Sequence, residues 1–419
     1  MNKRTYTALV DCNNFFVSCE RLFRPELGER PVVVLSNNDG CVVARSNEVK
    51  RMGIPMGAPY FQVKDSLKQK GVTVFSGNFS LYNDLSKRVM SVIDDCAEEI
   101  EVYSIDESFV TLRGDKLEVE RQAREIKKRV ERGTGIPVSI GVSSSKTLAK
   151  LASEKAKSTG VFMISEDERE AILRETDVGE IWGVGRQLRS RLSSSNIVSA
   201  LALAESSDQW LRATLGLSGL RVAYELRGVK ALSDDHLRKD KKAIISSRSF
   251  GKKTRQKKDL EESVAHHITN AARKMRKQCS AAKYVSVTIS VQERSNKKSL
   301  SGFRDLLYHT NDSLELIKHA HDILSEIYQD NSLYCKAGVL LSDFTQIELA
   351  PEKTLFEDLK TKDRKELMDT LDTIEKKHGQ NALFSAAVGI RQSWSLRSEF
   401  SSPAYTTQWK SLPSVKTSP

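Results

Sequence analysis

The sequence has no apolar run long enough to cross a membrane. Runs such as PVVVL (31–35) and AGVLL (337–341) have five residues, whereas a membrane-spanning helix needs about 20. The N-terminus also lacks the apolar core of a secretory signal. We therefore expect a cytoplasmic protein with no membrane partner.

Cysteine is scarce and its spacing carries no metal or disulfide signal. The six cysteines include no Cys-x-x-Cys pair and no zinc-type spacing, so we expect reduced, mostly buried thiols. Only 9 prolines interrupt the chain, and the fractions of hydrophobic (39%) and charged (29%) residues are typical of globular proteins. At 419 residues, a size of roughly 150 residues per domain predicts about three domains.

Acidic residues do not balance the basic ones, and the net charge is +11. A single basic run is often only a solvated helix face. Here four runs lie close together, and this clustering favours a polyanionic partner. The runs are at 238–242, 251–258, 273–277 and 296–298.

The first 165 residues alternate between strand and helix patterns. TYTALVD (5–11) reads as a strand, and a helix capped by Ser80 is followed by a strand, a short turn and a second strand in IEVYSIDESFVTLRG (100–114). Two further helices and two strands, IPVSIGVSS and GVFMI, complete the segment. With residues 23–78 set aside as an insertion, this order predicts a split βαβ sheet.

Two adjacent acids interrupt the strand pair in YSIDESFV (103–110). They are Asp106 and Glu107, and most such pairs are exposed turn residues. In a split βαβ sheet, however, Asp11 at the end of the first strand approaches the same turn. Three carboxylates at one place repel one another unless cations lie between them. Hard oxygen ligands without nearby His or Cys predict two Mg²⁺ ions.

Six stretches, in order along the chain, resemble the Y-family DNA polymerases, and in particular the UmuC/MucB type, the catalytic subunit of DNA polymerase V. The similarity runs from about residue 5 to beyond residue 340. The stretches are ALVDCNNFFVSCE, VVVLSNNDGCVVARSNEVKRMGI, VYSIDESFV, VSIGVSSSKTLAKLASEKAK, DVGEIWGVGRQLRSRL and ISSRSFG.

The resemblance implies an α+β multidomain fold and error-prone translesion synthesis in the SOS response, by template-directed addition of dNTPs. It implies a ferredoxin-like split βαβ palm, small fingers, a helical thumb with a helix-hairpin-helix, an α/β little finger and a partly disordered C-terminal extension for partner binding. The expected ranges are 1–22 and 79–165 for the palm, 23–78 for the fingers, 166–236 for the thumb, 237–350 for the little finger and 351–419 for the extension.

The resemblance also implies roles for residues of the active site. Asp11, Asp106 and Glu107 match the family's catalytic, metal-binding carboxylates, with the backbone carbonyl of Cys12 as a further ligand. Phe16 matches the steric gate that excludes a ribose 2′-hydroxyl. The expected dNTP-binding residues are Phe15, which could instead be a core aromatic, Asn47 and Lys50, which replace the family's usual tyrosine and arginine, and Lys157. The alternative for Lys50 and Lys157 is an ordinary position on a helix surface.

DNA contacts are expected in two regions. Gly183 and Gly185 precede a basic helix beginning at Arg186, as in a helix-hairpin-helix whose backbone N–H groups hold a DNA phosphate; the alternative is a tight turn. In the little finger, Arg248 and the lysines Lys252 and Lys253 would follow the backbone of the primer-template duplex. Solvated lysines are the alternative there.

The C-terminal extension implies protein partners. EKTLFEDL resembles a degenerate sliding-clamp peptide in which only Leu355 and Phe356 keep the apolar anchor. ELMDTLDTIEKKHG and SPAYTTQW resemble the UmuC tail. Proteins of that type work with a cleaved UmuD-type dimer and with activated RecA.

Three alternatives remain at this point. A self-sufficient DinB-type polymerase would share the carboxylates, but the long extension and SNNDGCV disfavour it. A two-metal nuclease would need similar acids without a sugar gate. An idle DNA-binding scaffold would have no need of intact acids at 11, 106 and 107.

Overall fold

The fold is described from a computed structural model, and it consists of two compact units. The structure describes residues 4–232, 240–293, 296–349, 364–379, 382–390, 392, 394–412 and 414. One unit comprises Met1–Arg238 together with Glu399–Pro419, and the other comprises Lys239–Ser398. No described helix is long and apolar enough to cross a membrane.

The first unit contains eight strands and ten α-helices among the described residues. In chain order they are β1 (Arg4–Cys12), α1 (Phe15–Leu22), β2 (Val32–Leu35), β3 (Val42–Arg45), α2 (Asn47–Arg51), α3 (Tyr60–Gln69), β4 (Thr73–Ser76), α4 (Phe79–Asp94), β5 (Ile100–Val102), β6 (Glu107–Gly114), α5 (Lys116–Thr134), β7 (Val138–Ser143), α6 (Lys146–Thr159), β8 (Val161–Met163), α7 (Glu166–Glu175), α8 (Arg186–Ser194), α9 (Ala200–Glu205) and α10 (Asp208–Leu226).

The main sheet of this unit has the order β5-β6-β1-β7-β8, with β1 at its centre. β1 pairs antiparallel with both β6 and β7, and its last six residues are all buried. A strand covered on both faces needs a continuous apolar run, which ALV supplies. The strand order is that of a split βαβ sheet with one added parallel strand, β8.

Helix ends follow local capping chemistry. The side chain of Asp115 accepts a hydrogen bond from the N–H of Glu118 at 2.8 Å at the start of α5, and Gly135 ends the helix with a φ of +70°. The expectation that Ser80 caps α4 is wrong. Asn78 is the cap, and its Oδ1 accepts from the N–H of Leu81 at 3.2 Å, because the helix begins at Phe79, two residues earlier than a cap at Ser80 would require.

Two smaller subassemblies complete the first unit. β3, β2 and β4 form a three-stranded sheet, and α2 and α3 contribute to an apolar cluster with it that includes Val33, Val49 and Leu67. Helices α7 to α10 form a separate helical cluster, buried around residues such as Leu173 and Leu203.

The second unit is a four-stranded sheet with helices. Its order is β11-β10-β12-β9, antiparallel throughout, and its core includes residues of α11 and α12. Its elements are β9 (Ala243–Thr254), α11 (Lys257–Arg276), β10 (Ser280–Glu293), β11 (Asn296–Thr310), α12 (Ser313–Ile327), β12 (Tyr334–Gln346) and α13 (Lys365–His378).

One of the four basic runs does not form a free polyanion surface. In the run 273–277, Arg273 pairs with Glu375 at 2.8 Å and Arg276 pairs with Asp372 at 2.8 Å. The arginine side chains are only 11% and 8% exposed. These two arginines hold α13 against α11, so the expectation of DNA contacts fails for them.

Candidate active site

The three acids predicted to bind metal are brought together by strand register. Asp11, near the end of β1, is paired directly with Glu107, the first residue of β6. Directly paired residues present their side chains on the same face of a sheet, with Cβ atoms about 5 Å apart. The backbone N–H of Cys12 donates to the backbone carbonyl of Asp106 at 2.9 Å. All three acids therefore lie at one point of the sheet.

Each of these carboxylates has a partner of its own. Lys150 donates to both carboxylate oxygens of Glu107 at 2.7 Å. The hydroxyl of Ser104 donates to Oδ1 of Asp106 at 2.6 Å. Nζ of Lys157 lies 3.7 Å from Oδ2 of Asp11. In this arrangement no three His, Cys, Asp or Glu side chains of the described chain converge closely enough to form a metal cage.

Burial and neighbouring acids make ionisation of Asp11 unfavourable. Burial, and then the charges of Glu107, Asp106 and Glu154, raise the pKa of Asp11 from 3.8 to about 7, although Lys157 opposes the shift. Ionisation of a buried carboxyl near other carboxylates is unfavourable unless a cation compensates it. The site therefore favours a bound cation with oxygen ligands.

The acids form one side of a cavity of about 330 Å³. Its other lining residues come from the start of α1, from β3, α2 and α6. Burial lowers the pKa of Lys50, and the nearby positive charges of Lys157 and Arg45 lower it further. A cavity lined by carboxylates and by three basic residues, Arg45, Lys50 and Lys157, suits a metal-bound anion such as a triphosphate. The predicted residues in the lining are Asp11, Cys12, Phe15, Phe16, Asn47, Lys50, Asp106, Glu107 and Lys157.

Phe16 is held by an aromatic cluster. Its ring stacks on Tyr82 with centroids 4.5 Å apart and meets Phe79 edge-on at 5.9 Å. Phe15 is 3% exposed and belongs to the main apolar core, although it also lines the cavity. Asn47, on α2, accepts a hydrogen bond from Asn14 at 3.1 Å, so the start of α1 and α2 are linked across the cavity.

Three residues of the site were not predicted: Lys150, Glu154 and Arg45. Lys150, Glu154 and Lys157 occupy positions i, i+4 and i+7 of α6 and therefore share one helix face. That spacing is visible in the sequence and could have identified them. Arg45 ends β3 beside the cavity, and its Nη1 donates to the carbonyl of Ile54 at 2.5 Å.

The predicted DNA contacts lie outside this cavity. Gly183 has a φ of +95°, a conformation that favours glycine. Gly185 is the N-cap of α8, which begins at Arg186 as expected. In the second unit, Arg248, Lys252 and Lys253 are exposed on β9, an edge strand. The clamp-like residues Leu355 and Phe356 lie outside the described residues.

Three family models match the chain. The model described as the impB/mucB/samB family matches residues 10–154, and the C-terminal domain of that family matches residues 241–372. A domain of unknown function, DUF4113, matches residues 365–415.

Curated proteins are similar over nearly the full length. UmuC of Salmonella typhimurium is 37% identical, with 98% of this chain and 100% of the relative covered. SamB of Salmonella typhimurium is 35% identical, with 98% and 99% covered. DNA polymerase IV of Treponema denticola is only 26% identical, with 89% and 94% covered.

Solved structures support the fold. A Y-family DNA polymerase chimera of Dbh and Dpo4 superposes with a TM-score of 0.64 at 22% identity, covering 81% of this chain and 98% of the other. The α+β multidomain fold is therefore that of Y-family polymerase structures.

Proposed function

The chain belongs to the impB/mucB/samB family, as a translesion DNA polymerase of the UmuC type, and on this premise we propose how its residues carry out nucleotidyl transfer. Asp11, Asp106 and Glu107 would hold two Mg²⁺ ions, with the backbone carbonyl of Cys12 as a further ligand. The observation that carries this proposal is the β1–β6 register, which pairs Asp11 with Glu107 beside Asp106.

The donor set fits a hard divalent cation. It offers carboxylate oxygens, and burial, followed by the neighbouring acids Glu107 and Asp106, raises the pKa of Asp11, so a cation would favour its charged form. When bound, two such ions stabilise charge on the attacking 3′-oxygen of the primer and on the leaving pyrophosphate. Lys150 and Lys157, the present partners of Glu107 and Asp11, must yield these oxygens to the metals.

The basic residues that line the cavity would bind the triphosphate of the dNTP. Lys50, Lys157 and the newly identified Arg45 all line it, and Arg45 supplies a planar guanidinium that suits phosphate oxygens. Asn47, held by Asn14, would contribute an amide donor. These side chains bind and orient the substrate and neutralise charge that builds on the leaving group.

Phe16 would exclude ribonucleotides. Stacking on Tyr82 and edge contact with Phe79 fix its ring against the cavity, so a 2′-hydroxyl would clash with a side chain that cannot move aside. Phe15 would support the same wall from the core.

We further propose that residues 1–22 and 79–165 act as a ferredoxin-like palm, 23–78 as fingers, 166–236 as thumb and 237–350 as little finger. Gly183, Gly185 and Arg186 would hold a DNA phosphate at the start of α8, whose basic side chains are solvent-exposed. Arg248, Lys252 and Lys253 would follow the duplex backbone, which gives salt-sensitive, sequence-tolerant binding.

Several partners follow from the family. The extension 351–419 would bind a cleaved UmuD-type dimer and RecA in the SOS response, with a sliding clamp as a further partner. Because its substrate is DNA, we place the protein in the bacterial cytoplasm, at the nucleoid when active.

Replacing Asp106 tests the metal assignment. Asp106→Asn keeps an acceptor for the Ser104 hydroxyl but removes the charge, so primer extension should fall by on the order of 100-fold or more. DNA binding should persist, because the basic surfaces are untouched. Asp94→Ala, on the exposed end of α4, is the control. Substantial Mg²⁺-dependent extension by Asp106→Asn would contradict the assignment.

Replacing Phe16 tests the gate. Phe16→Ala should admit ribonucleotides, which is measured as the ratio of kcat/KM for a dNTP to that for the matching rNTP. Sugar discrimination equal to that of the parent protein would show that a residue other than Phe16 acts as the gate.

A further inference from the structure

The end of the chain returns to the unit that carries the active site. Residues 240–398 belong to the second unit, but the residues from Glu399 onward belong to the first. Residues 399–415 of this returning segment lie within the region matched by the domain of unknown function, residues 365–415. We call residues 399–405 the C-terminal strap.

The strap binds the fingers through buried polar groups. The N–H of Glu399 donates to Oδ2 of Asp39 at 2.8 Å, while Oδ1 of Asp39 accepts from the hydroxyl of Ser76 at 2.5 Å. The N–H of Phe400 donates to Oγ of Ser76 at 3.0 Å, and the N–H of Ser76 donates to the carbonyl of Phe400 at 3.0 Å. Ser76 is 1% and Asp39 8% exposed, so loss of the strap would leave buried polar atoms without partners.

Asp39 belongs to the SNNDGC turn. Asn38 and Asp39 both have positive φ, at 62° and 50°, which is a conformation that Asn and Asp tolerate better than most residues. The turn aims the Asp39 carboxylate at the strap. The two features that set this sequence apart from DinB-type polymerases, the SNNDGCV stretch and the long extension, therefore contact each other.

Further along, the strap reaches the residues behind Phe16. Glu20 is completely buried, and its Oε1 accepts from the hydroxyl of Tyr82 at 2.6 Å and from that of Ser402 at 3.1 Å. Tyr82 is the residue on which the ring of Phe16 stacks at 4.5 Å. A chain of direct contacts thus joins Ser402 to Phe16 through Glu20 and Tyr82.

The strap also contacts the beginning of α4, the helix that carries Phe79 and Tyr82. Nδ2 of Asn78 donates to Oγ of Ser402 at 3.0 Å and to the carbonyl of Pro403 at 3.3 Å. The same asparagine caps α4 through its Oδ1. The helix start that supports the Phe16 ring is therefore tied to the strap.

Tyr405 anchors the far end of the strap. Its ring stacks on Phe23, with centroids 4.5 Å apart and an interplanar angle of 4°. It is 7% exposed and belongs to the same core cluster as Tyr82, against which Phe16 packs. Stacked aromatic pairs stabilise beyond their buried area, so this contact fixes the strap to the palm–fingers junction.

We propose that the C-terminal strap positions the Phe16 wall of the nucleotide site, by which we mean the ring of Phe16 and the Phe79 and Tyr82 rings that pack against it. Ser402 and Tyr405 are the positioning residues of the strap. This inference rests on the proposed role of Phe16 as the sugar gate. The strap touches neither substrate nor metal ligands. It fixes Glu20, Tyr82 and the start of α4, and these fix the ring. Discrimination against a 2′-hydroxyl depends on a ring that cannot rotate away, so a loosened wall would admit ribonucleotides.

The first test removes one hydroxyl from the strap in the full-length chain. Ser402→Ala deletes the bonds to Glu20 and Asn78. The ratio of kcat/KM for dNTP to that for rNTP should fall about tenfold, the factor expected when one hydrogen bond to a charged group is lost. The change should appear mainly in KM for the two nucleotides, with kcat for the dNTP nearly unchanged. Thr407→Ala, which removes an exposed hydroxyl just beyond the strap, is the matched control and should behave as the parent.

A second pair of variants tests the anchor. Tyr405→Leu loses the stacked ring and should also lower discrimination, whereas Tyr405→Phe keeps the ring and should restore it. Phe16→Ala, measured in parallel, separates the two proposals. If Phe16→Ala lowers discrimination but Ser402→Ala and Tyr405→Leu do not, the strap proposal is overturned while the gate stands. If Phe16→Ala leaves discrimination unchanged, the gate assignment fails and the strap proposal falls with it.

Hydrogen exchange tests the strap without relying on activity. In the parent protein the amides of Ser76 and Phe400 should be protected together, since each is bonded to the other residue. Ser402→Ala and Tyr405→Leu should speed exchange in the strap and in the first turn of α4. Exchange across 399–405 at the rate of an unstructured chain in the parent protein would overturn the proposal.

Discussion

Lys150 should compete with divalent metal for Glu107, one of the proposed metal ligands, and its removal should tighten metal binding. Its Nζ lies 2.7 Å from both carboxylate oxygens of Glu107. Its ammonium also lies over the rings of Tyr103 and Trp182, 5.2 Å and 5.5 Å from their centroids. Lys150→Met removes the charge but keeps an unbranched apolar stem against these rings, so the variant changes electrostatics more than packing.

The size of the effect follows from the ion pair. A hydrogen bond to a charged group is worth about 1.5–3 kcal/mol. The two side chains are 23% and 16% exposed, and this partial access of solvent favours the lower value. A metal ion on Glu107 must replace the pair, so Lys150→Met should strengthen divalent binding by about 1.5 kcal/mol, or roughly tenfold.

The assay is a calorimetric titration of the full-length protein with Mg²⁺, and with Mn²⁺ as a spectroscopic probe, in the absence of DNA and nucleotide. Lys155→Met is the control, because Lys155 is exposed on the same helix and its loss changes the net charge equally. The control should shift the dissociation constant little, since solvent and salt screen the charge of an exposed side chain. Metal affinity that is unchanged or weaker in Lys150→Met would refute the reasoning.

Two further predictions concern stability. Gly141→Ala should destabilise the fold by about 3 kcal/mol or more, because a Cβ there would lie 2.0 Å from the backbone nitrogen of Ser153. The control is Gly133→Ala, where the nearest contact of the added Cβ is at 3.5 Å, and this variant should be neutral or stabilising. Equal melting temperatures for the two variants would contradict the prediction. Burial lowers the pKa of His266 to about 4 and of His267 to about 3, from 6.5. As pH falls below 6.5, the two histidines become protonated in the unfolded chain while they stay neutral in the folded protein. Between pH 6.5 and the folded pKa of each histidine, the free energy of unfolding should therefore drop by up to about 1.4 kcal/mol per pH unit per histidine. His266→Gln should show a shallower loss of urea midpoint between pH 6.5 and 5 than the parent, and identical slopes would contradict the prediction.

Local patterns predicted the elements that carry the acids. Side-chain periodicity and turn chemistry act within a few residues. For this reason the sequence predicted the strand that ends at Asp11 and the strand pair around Asp106 and Glu107. The topology then followed from element order, since a split βαβ sheet permits few arrangements of its strands. Glycine at 183 and the helix beginning at Arg186 were predictable for the same local reason.

The partners of these acids could not be predicted as readily. That Lys150 binds Glu107, or that Arg273 and Arg276 bind α13 and not an outside polyanion, depends on which surfaces pack together. The charged residues in a sequence show only that each buried charge needs a partner of opposite charge, and they do not show which residue that partner is. The chosen partner is decided by distances of a few ångströms between elements far apart in the chain.

The sequence by itself indicated the strands that carry the three acids, the family and therefore the chemistry, because these rest on short-range patterns. Only the tertiary structure decided that Glu399 bonds to Asp39, a pair 360 residues apart, and that Ser402 supports the wall behind Phe16. Such contacts form between buried polar groups whose donors and acceptors must be satisfied once water is excluded. Their identities are set by the packed fold, and no local pattern encodes them.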